Sequence, residues 1–262
     1  MNSRKLISAA GIAGALLFTS ACSASVAAAP PAASSPSASA TETAAQPSAI
    51  PVAAPASLPK GLIPKGVAND GKGVYLQTSI ADTDPAMQYN PALSDDAAKA
   101  HFSAADLAEA QKVVVRFIAE EAIDSTLNDG TDVDGWWAAH VDQIHPVNQP
   151  IMLKDMHDPA KDILDRERWI TARSGYSYLH GETTSRIKSR TITPKTIEYV
   201  EGNNLQGVTV STTASWSMEV TGGSNTGRQM STAEISFSVA KDPADGKWKI
   251  AGYDTNYHTA EG

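Results

Sequence analysis

The sequence predicts an α+β fold, with N-terminal helices packed on an antiparallel sheet and a disordered tether in front of them. Three observations carry this prediction. Between residues 103 and 144 apolar side chains recur at helical spacing. After Gly175 the period changes to two, and residues 23–57 hold almost nothing that could enter a core. Helices first and a meander of strands afterwards is the α+β order.

The helices come in sequence. Ser103 and Asp106 form a variant capping box, and Leu107, Ala110, Val114, Phe117/Ile118 and Ala122 then fall on one face. Asn128-Asp129-Gly130 ends this helix. Asp134 is expected to cap a second one, in which Val133, Trp137, Val141 and Ile144 share a stripe flanked by Trp136 and His140. Pro146 and Pro150 close that segment. Asp158-Pro159 reads as the N-cap and first position of a third, shorter helix.

The strands follow. Along 207–221, Val208, Val210, Thr212, Ala214, Trp216, Met218 and Val220 lie on one face, with Thr, Ser and Glu on the other. Gly222 to Gly227 is a hairpin loop, and Ala233, Ile235, Phe237 and Val239 mark the inner face of the partner strand. Asp242-Pro243-Ala244-Asp245-Gly246 turns the chain into a last strand over 247–257. Earlier strands are read at 186–192 and 195–200. Residues 58–102 carry weak periodicity and many turn formers (Gly61, Pro64, Gly66, Gly71, Gly73, Pro85, Pro91), so they read as an irregular arm before a domain at 103–262.

Residues 23–57 contain 14 Ala, 8 Ser, 6 Pro and 2 Thr. Such a segment cannot bury enough apolar surface to offset its ordering entropy. As a flexible coil it would span on the order of 35 Å. Ahead of it, Arg4 and Lys5 precede a 13-residue apolar run, Leu6–Phe18, and small residues follow up to Cys22. This is the order of a secretion signal, and the run is too short to span a membrane comfortably. Cys22 is the only cysteine in the chain. Its position after Ser20-Ala21 resembles the bacterial lipobox, although that pattern most often has Leu where this chain has Thr19. The resemblance implies cleavage between Ala21 and Cys22, a signal peptide over 1–21, and lipidation of Cys22 ahead of a tether running to residue 57. Two or three acyl chains suffice to hold a protein at a membrane. Losing Arg4 and Lys5 leaves 19 basic against 29 acidic side chains, so the lipid rather than charge would be the anchor. The same acidity excludes nucleic-acid binding as the main activity.

The Trp136-Trp137 helix, the long strand pair over 207–221 and 228–240, and the ending Asp245-Gly246-Lys247-Trp248-Lys249-Ile250 with Tyr253 resemble the NTF2-like (SnoaL-like, cystatin-like) superfamily and the actinobacterial lipoproteins that carry such domains. That resemblance implies helices on a strongly curved antiparallel sheet, a cone with an apolar cavity. Trp137, Tyr178, Trp216, Met218, Trp248 and Tyr253 are candidate lining residues, or simply core.

Chemistry is sparse. The histidines lack metal-ligand spacing, since His140 and His145 stand about 140° apart on a helix. No metal site and no cofactor is expected. GxSxG, the P-loop and GxGxxG are absent. Superfamily isomerases use a carboxylate in an apolar cavity. Here His140, with Tyr178 as a proton donor, is the best candidate, and Asp106, Glu120 and Glu121 read as capping or solvated. The expected function is a membrane-anchored extracytoplasmic module, on the outer face of the cell membrane, that binds envelope proteins or a small apolar ligand. The alternatives are a cavity enzyme of isomerase, dehydratase or hydrolase type using His140 or a buried carboxylate, and a secretion-complex subunit resembling the VirB8-like branch. That branch normally has a transmembrane helix in place of a lipobox.

Overall fold

Strand β1 (Leu62–Asn69) and strand β2 (Val74–Ile80) pair antiparallel as a two-stranded sheet of their own. The computed structural model describes residues 58–128, 132–158, 177–202, 204–222 and 225–261, all within one unit, Ile50–Gly262. Cys22, Ala21, the tether and the helix expected from Pro159 onward lie outside the described residues.

The hairpin corrects the reading of 58–102 as an irregular arm, and it places strands ahead of the helices. It was hidden for a physical reason. Tyr75 through Ile80 are all buried, so β2 is covered on both faces and shows no polar–apolar alternation. β1 is mostly exposed and is broken by a bulge between Pro64 and Gly66. The turn itself is built by side chains. Asn69 Oδ1 accepts from Gly71 N at 2.8 Å, and Asp70 Oδ1 accepts from Lys72 N and Gly73 N at 2.9 Å. Two 3₁₀ turns follow, Pro85–Met87 and Pro91–Leu93, capped by Asp84 and Asn90, and then helix α1 (Asp96–His101), capped by Asp95.

Helix α2 (Ala104–Phe117) opens on the expected capping box between Ser103 and Asp106. Leu107, Ala110, Val114, Phe117, Ile118 and Ala122 are buried as the stripe predicted. The α-helix does not reach Asn128, however. A π-helical turn takes over at Ile118–Ile123. Helix α3 (Val133–His140) is capped by Asp132 rather than Asp134. Its buried residues are Val133 and Trp136, three apart, whereas Trp137 is half-buried. Trp136 is the tryptophan that faces inward, its ring edge-on to Phe117, and a 3₁₀ turn at Val141–Gln143 follows the helix. Pro150 does not end a segment. It occupies the first turn of helix α4 (Gln149–Met156), where a missing N–H costs nothing.

The main sheet is antiparallel. The short strand β3 (Ser177–Tyr178) and strand β4 (Ile187–Gly202) both pair with β5 (Leu205–Gly222), which pairs with β6 (Asn225–Lys241), which pairs with β7 (Trp248–Glu261). The architecture is therefore α+β. The two strands expected at 186–200 are one strand. Pro194, which cannot donate to a ladder, is absorbed by a bulge on this edge strand. The inner face of β5 is the one the alternation predicted, with Val208, Val210, Ala214, Trp216, Met218 and Val220 buried. They share one core with Leu62 and Ile80 of the hairpin and with the α2 stripe.

Gly207 marks where β5 and β6 press together. A methyl group there would stand 2.1 Å from the Val239 carbonyl oxygen, and paired strands cannot give that much. Gly207→Ala is expected to cost about 2 kcal/mol or more in chemical denaturation. A variant as stable as the wild type would contradict this register.

Candidate functional site

The charged residues gather where the hairpin lies against the end of α2. Glu121 is at the centre, 1% exposed in its side chain. Its Oε1 accepts from Lys65 Nζ at 2.6 Å and faces His140 Nε2 at 3.2 Å. Its Oε2 accepts from Trp136 Nε1 at 2.9 Å. Lys65 also reaches Glu120 at 2.9 Å, and Ser79 Oγ donates to the same Glu120 carboxylate.

His140 is fixed by this arrangement. Its Nδ1 lies 2.7 Å from the Trp136 carbonyl oxygen, which can only accept, and its Nε2 faces a carboxylate. Both nitrogens must donate, so the ring is an imidazolium. It also stacks on Trp136, with ring centroids 4.5 Å apart. Burial works against the charge, yet the hydrogen bond and charge of Glu121 hold the His140 pKa above its ordinary value. Burial likewise pushes the Glu121 carboxyl up, and His140 and Lys65 together reverse this and hold it below the usual range. A ring with both nitrogens spent is a poor general base. The arrangement is an ion-pair clamp.

One turn further on, Asp124 is fully buried. Its Oδ2 accepts from Thr78 N at 2.7 Å and from Thr78 Oγ1 at 2.8 Å, while Oδ1 has no hydrogen-bond partner among the described residues. Its main-chain carbonyl accepts from Tyr75 Oη and Gln77 Nε2, both at 2.9 Å. Burial outweighs the Thr78 hydrogen bonds and pushes the Asp124 carboxyl up to about 7. At the hairpin tip the buried Arg186 pairs with Asp70, which also meets His180 Nε2 at 2.9 Å. The Arg186 guanidinium lies 3.4 Å above the Tyr75 ring, and burial lowers its pKa to about 9.

The sequence-predicted residues do not converge on one pocket. Tyr178, Trp216 and Met218 are 2%, 4% and 1% exposed and belong to the core. Tyr178 Oη donates to Gln229 at 3.3 Å. Trp137 packs against the edge of the core. Trp248 meets Phe102 edge-on at 5.1 Å and lines a cleft of about 380 Å³ between α2 and the start of β7. Tyr253 donates to Asp155 at 2.9 Å, and burial and that carboxylate raise the Tyr253 pKa. Only His140 enters the ionic cluster, and Glu121, expected to be solvated, is its buried partner. Lys65, Thr78, Asp124, Asp70 and Arg186 were not singled out by the sequence.

Among the described residues, no group of three or more His, Cys, Asp or Glu side chains is placed to hold a metal ion, and no helix is long and apolar enough to cross a membrane. No protein-family model, curated protein or solved structure matches the chain.

Proposed function

We propose that this chain is a lipid-anchored extracytoplasmic protein, held at the cell membrane through Cys22, whose folded unit is a binding or assembly module of the NTF2-like kind. The observation that carries the non-catalytic part is that three of the residues expected to line a cavity are core instead. Tyr178, Trp216 and Met218 are packed into the core, and His140 has both ring nitrogens committed. The anchoring part rests on Arg4, Lys5, the 13-residue apolar run and Cys22. The antiparallel sheet of β3 to β7, which shares one core with α2, supports the cone.

Fractionation of cells expressing the full chain tests the anchor. The wild type is expected in the detergent-extracted membrane fraction and Cys22→Ala in the soluble extracytoplasmic fraction. A Cys22→Ala chain that stays with the membrane would refute lipidation as the anchor. A cavity enzyme is the second reading, favoured by one observation: a buried carboxyl, Asp124, with a pKa near neutrality, the kind of tuning acid–base sites use.

A further inference from the structure

Among the described residues, β1, β4 and β7 are the long strands that have a partner strand on one side only. Such an edge offers its main-chain N–H and C=O groups to any other strand, and proteins blunt it with prolines, lysines, bulges or covering segments. Two of the three are blunted. β1 carries Pro64, which has no N–H to offer, and a bulge between Pro64 and Gly66. β4 carries Pro194 and a bulge between Pro194 and Thr196. Asp95 then closes the β4 edge, its N–H donating to the Ile197 carbonyl at 3.0 Å and its carboxylate accepting from Tyr199 N.

The edge of β7 is different. Only its start is covered, where His145 N donates to the Ile250 carbonyl at 2.7 Å and Asn148 Nδ2 donates to the Ala251 carbonyl. From Gly252 to Glu261 the strand keeps unbroken register with β6, and no described residue hydrogen-bonds to the main chain on its other side. This stretch holds no proline, lysine or arginine. Two exposed apolar side chains, Val147 and Ile151, stand where it begins. Val147 lies between the two residues that bond to β7, and Ile151 is in the first turn of α4.

We infer that this edge pairs with the same edge of a second copy of the chain, antiparallel about a two-fold axis at Asn256, so that the two main sheets run on as one. An interface of this kind is closed by its own symmetry, each copy presenting the same patch. The residues select the register. About Asn256, Asp254 stands opposite His258 twice, Thr255 opposite Tyr257 twice, and Tyr253 opposite Thr259 twice. Acid with histidine and aromatic with β-branched are the pairings that stabilise an antiparallel ladder. An axis at Tyr257 would set Asp254 opposite Ala260 and Tyr253 opposite Glu261, and an axis at Thr255 would set Asp254 opposite Asn256. In the Asn256 register Ala260 of one copy reaches Gly252 of the other. The strand end thus arrives where Val147 and Ile151 are exposed, which is the kind of surface an interface covers. This goes beyond the proposed binding function and needs neither the anchor nor the cone.

The test is sedimentation of the full chain together with cysteine cross-linking. The wild type is expected to sediment as a dimer at about 100 µM. His258→Asp sets acid opposite acid twice and is expected to weaken the dimer about tenfold or more. For the register, single cysteines are oxidised with copper–phenanthroline and run on a non-reducing gel, the wild type with Cys22 alone giving the background. Asn256→Cys lies on the axis, where facing Cα atoms stand about 4.5–5.5 Å apart, within disulfide reach, and is expected to run as a dimer. Asp254→Cys would be separated from its own copy by about 14 Å along the strands and is expected to stay monomeric on the gel. A wild type that sediments as a monomer at that concentration would overturn the interface. A dimer in which Asp254→Cys cross-links as readily as Asn256→Cys, or which His258→Asp leaves equally tight, would overturn the register.

Discussion

Glu121→Ala is expected to lower folding stability by about 3 kcal/mol at pH 6. The carboxylate is buried and serves three donors, Lys65 Nζ, His140 Nε2 and Trp136 Nε1. Removing it leaves an imidazolium with no counter-charge and an indole N–H with no acceptor, and breaking a buried pair in this way costs about 3–5 kcal/mol. The low end applies because Lys65 is 30% exposed and His140 15%, so water recovers part of the loss. Glu121→Gln keeps an acceptor for Trp136 but not the charge, and should fall between. Urea denaturation followed by tryptophan fluorescence reads both, since Trp136 sits on the pair. A loss below about 1 kcal/mol for Glu121→Ala would show the cluster to be solvated and weak.

The same pair sets a pH window. His140 has a folded pKa above its ordinary 6.5, so its contribution is complete below about that pH and is lost as pH rises through the folded value. Glu121 has a folded pKa below its ordinary 4.5, so its contribution is complete above that pH and is lost as pH falls through the folded value. The stability difference between wild type and Glu121→Ala should therefore be greatest between about pH 4.5 and 6.5 and shrink on both sides. A difference that does not vary with pH would remove the ionic account.

Much of this cluster was within reach of the sequence. Glu121 lies seven residues after Val114 and three after Ile118, so it falls on the stripe whose apolar members are buried. A glutamate on such a stripe needs a partner. The partner could not be read, because Lys65 comes from a strand 56 residues away that shows no alternation. His140 was singled out for its neighbours Trp136 and Trp137, and its true determinant is that it stands one turn after Trp136 and can reach the carbonyl there. Asp124 left no trace, since it follows the π-helical turn, whose wider winding breaks the 3.6-residue count.

The long strands were far easier. Seven alternating residues from Val208 to Val220 fix which face of β5 is buried, because a one-residue slip would invert the pattern. The hydroxyls on the other face were visible too. What a single strand could not show is which of them pair with neighbours and which are left open. That distinction depends on the register against β4 and β6, and register is a property of the assembled sheet.

Asp124→Asn is expected to stabilise the protein by about 4 kcal/mol at pH 8 and by almost nothing at pH 3. In the wild type the folded pKa of about 7 exceeds the ordinary 3.8. Between those two values the folded chain holds a proton that the unfolded chain has released, so stability falls as pH rises through the window and stays low above it. Each pKa unit corresponds to about 1.4 kcal/mol. Asparagine mimics the protonated acid, with an oxygen to accept from Thr78 N and Oγ1 and a neutral donor where Oδ1 stands alone. The gain should therefore open between about pH 4 and 7 and then level off. His140 and Glu121 remain in both proteins, so taking the difference between the two denaturation series removes their contribution. A constant difference from pH 3 to 8 would place the folded Asp124 at its ordinary pKa, ionised at neutral pH, and would remove the buried neutral carboxyl on which the acid–base reading depends.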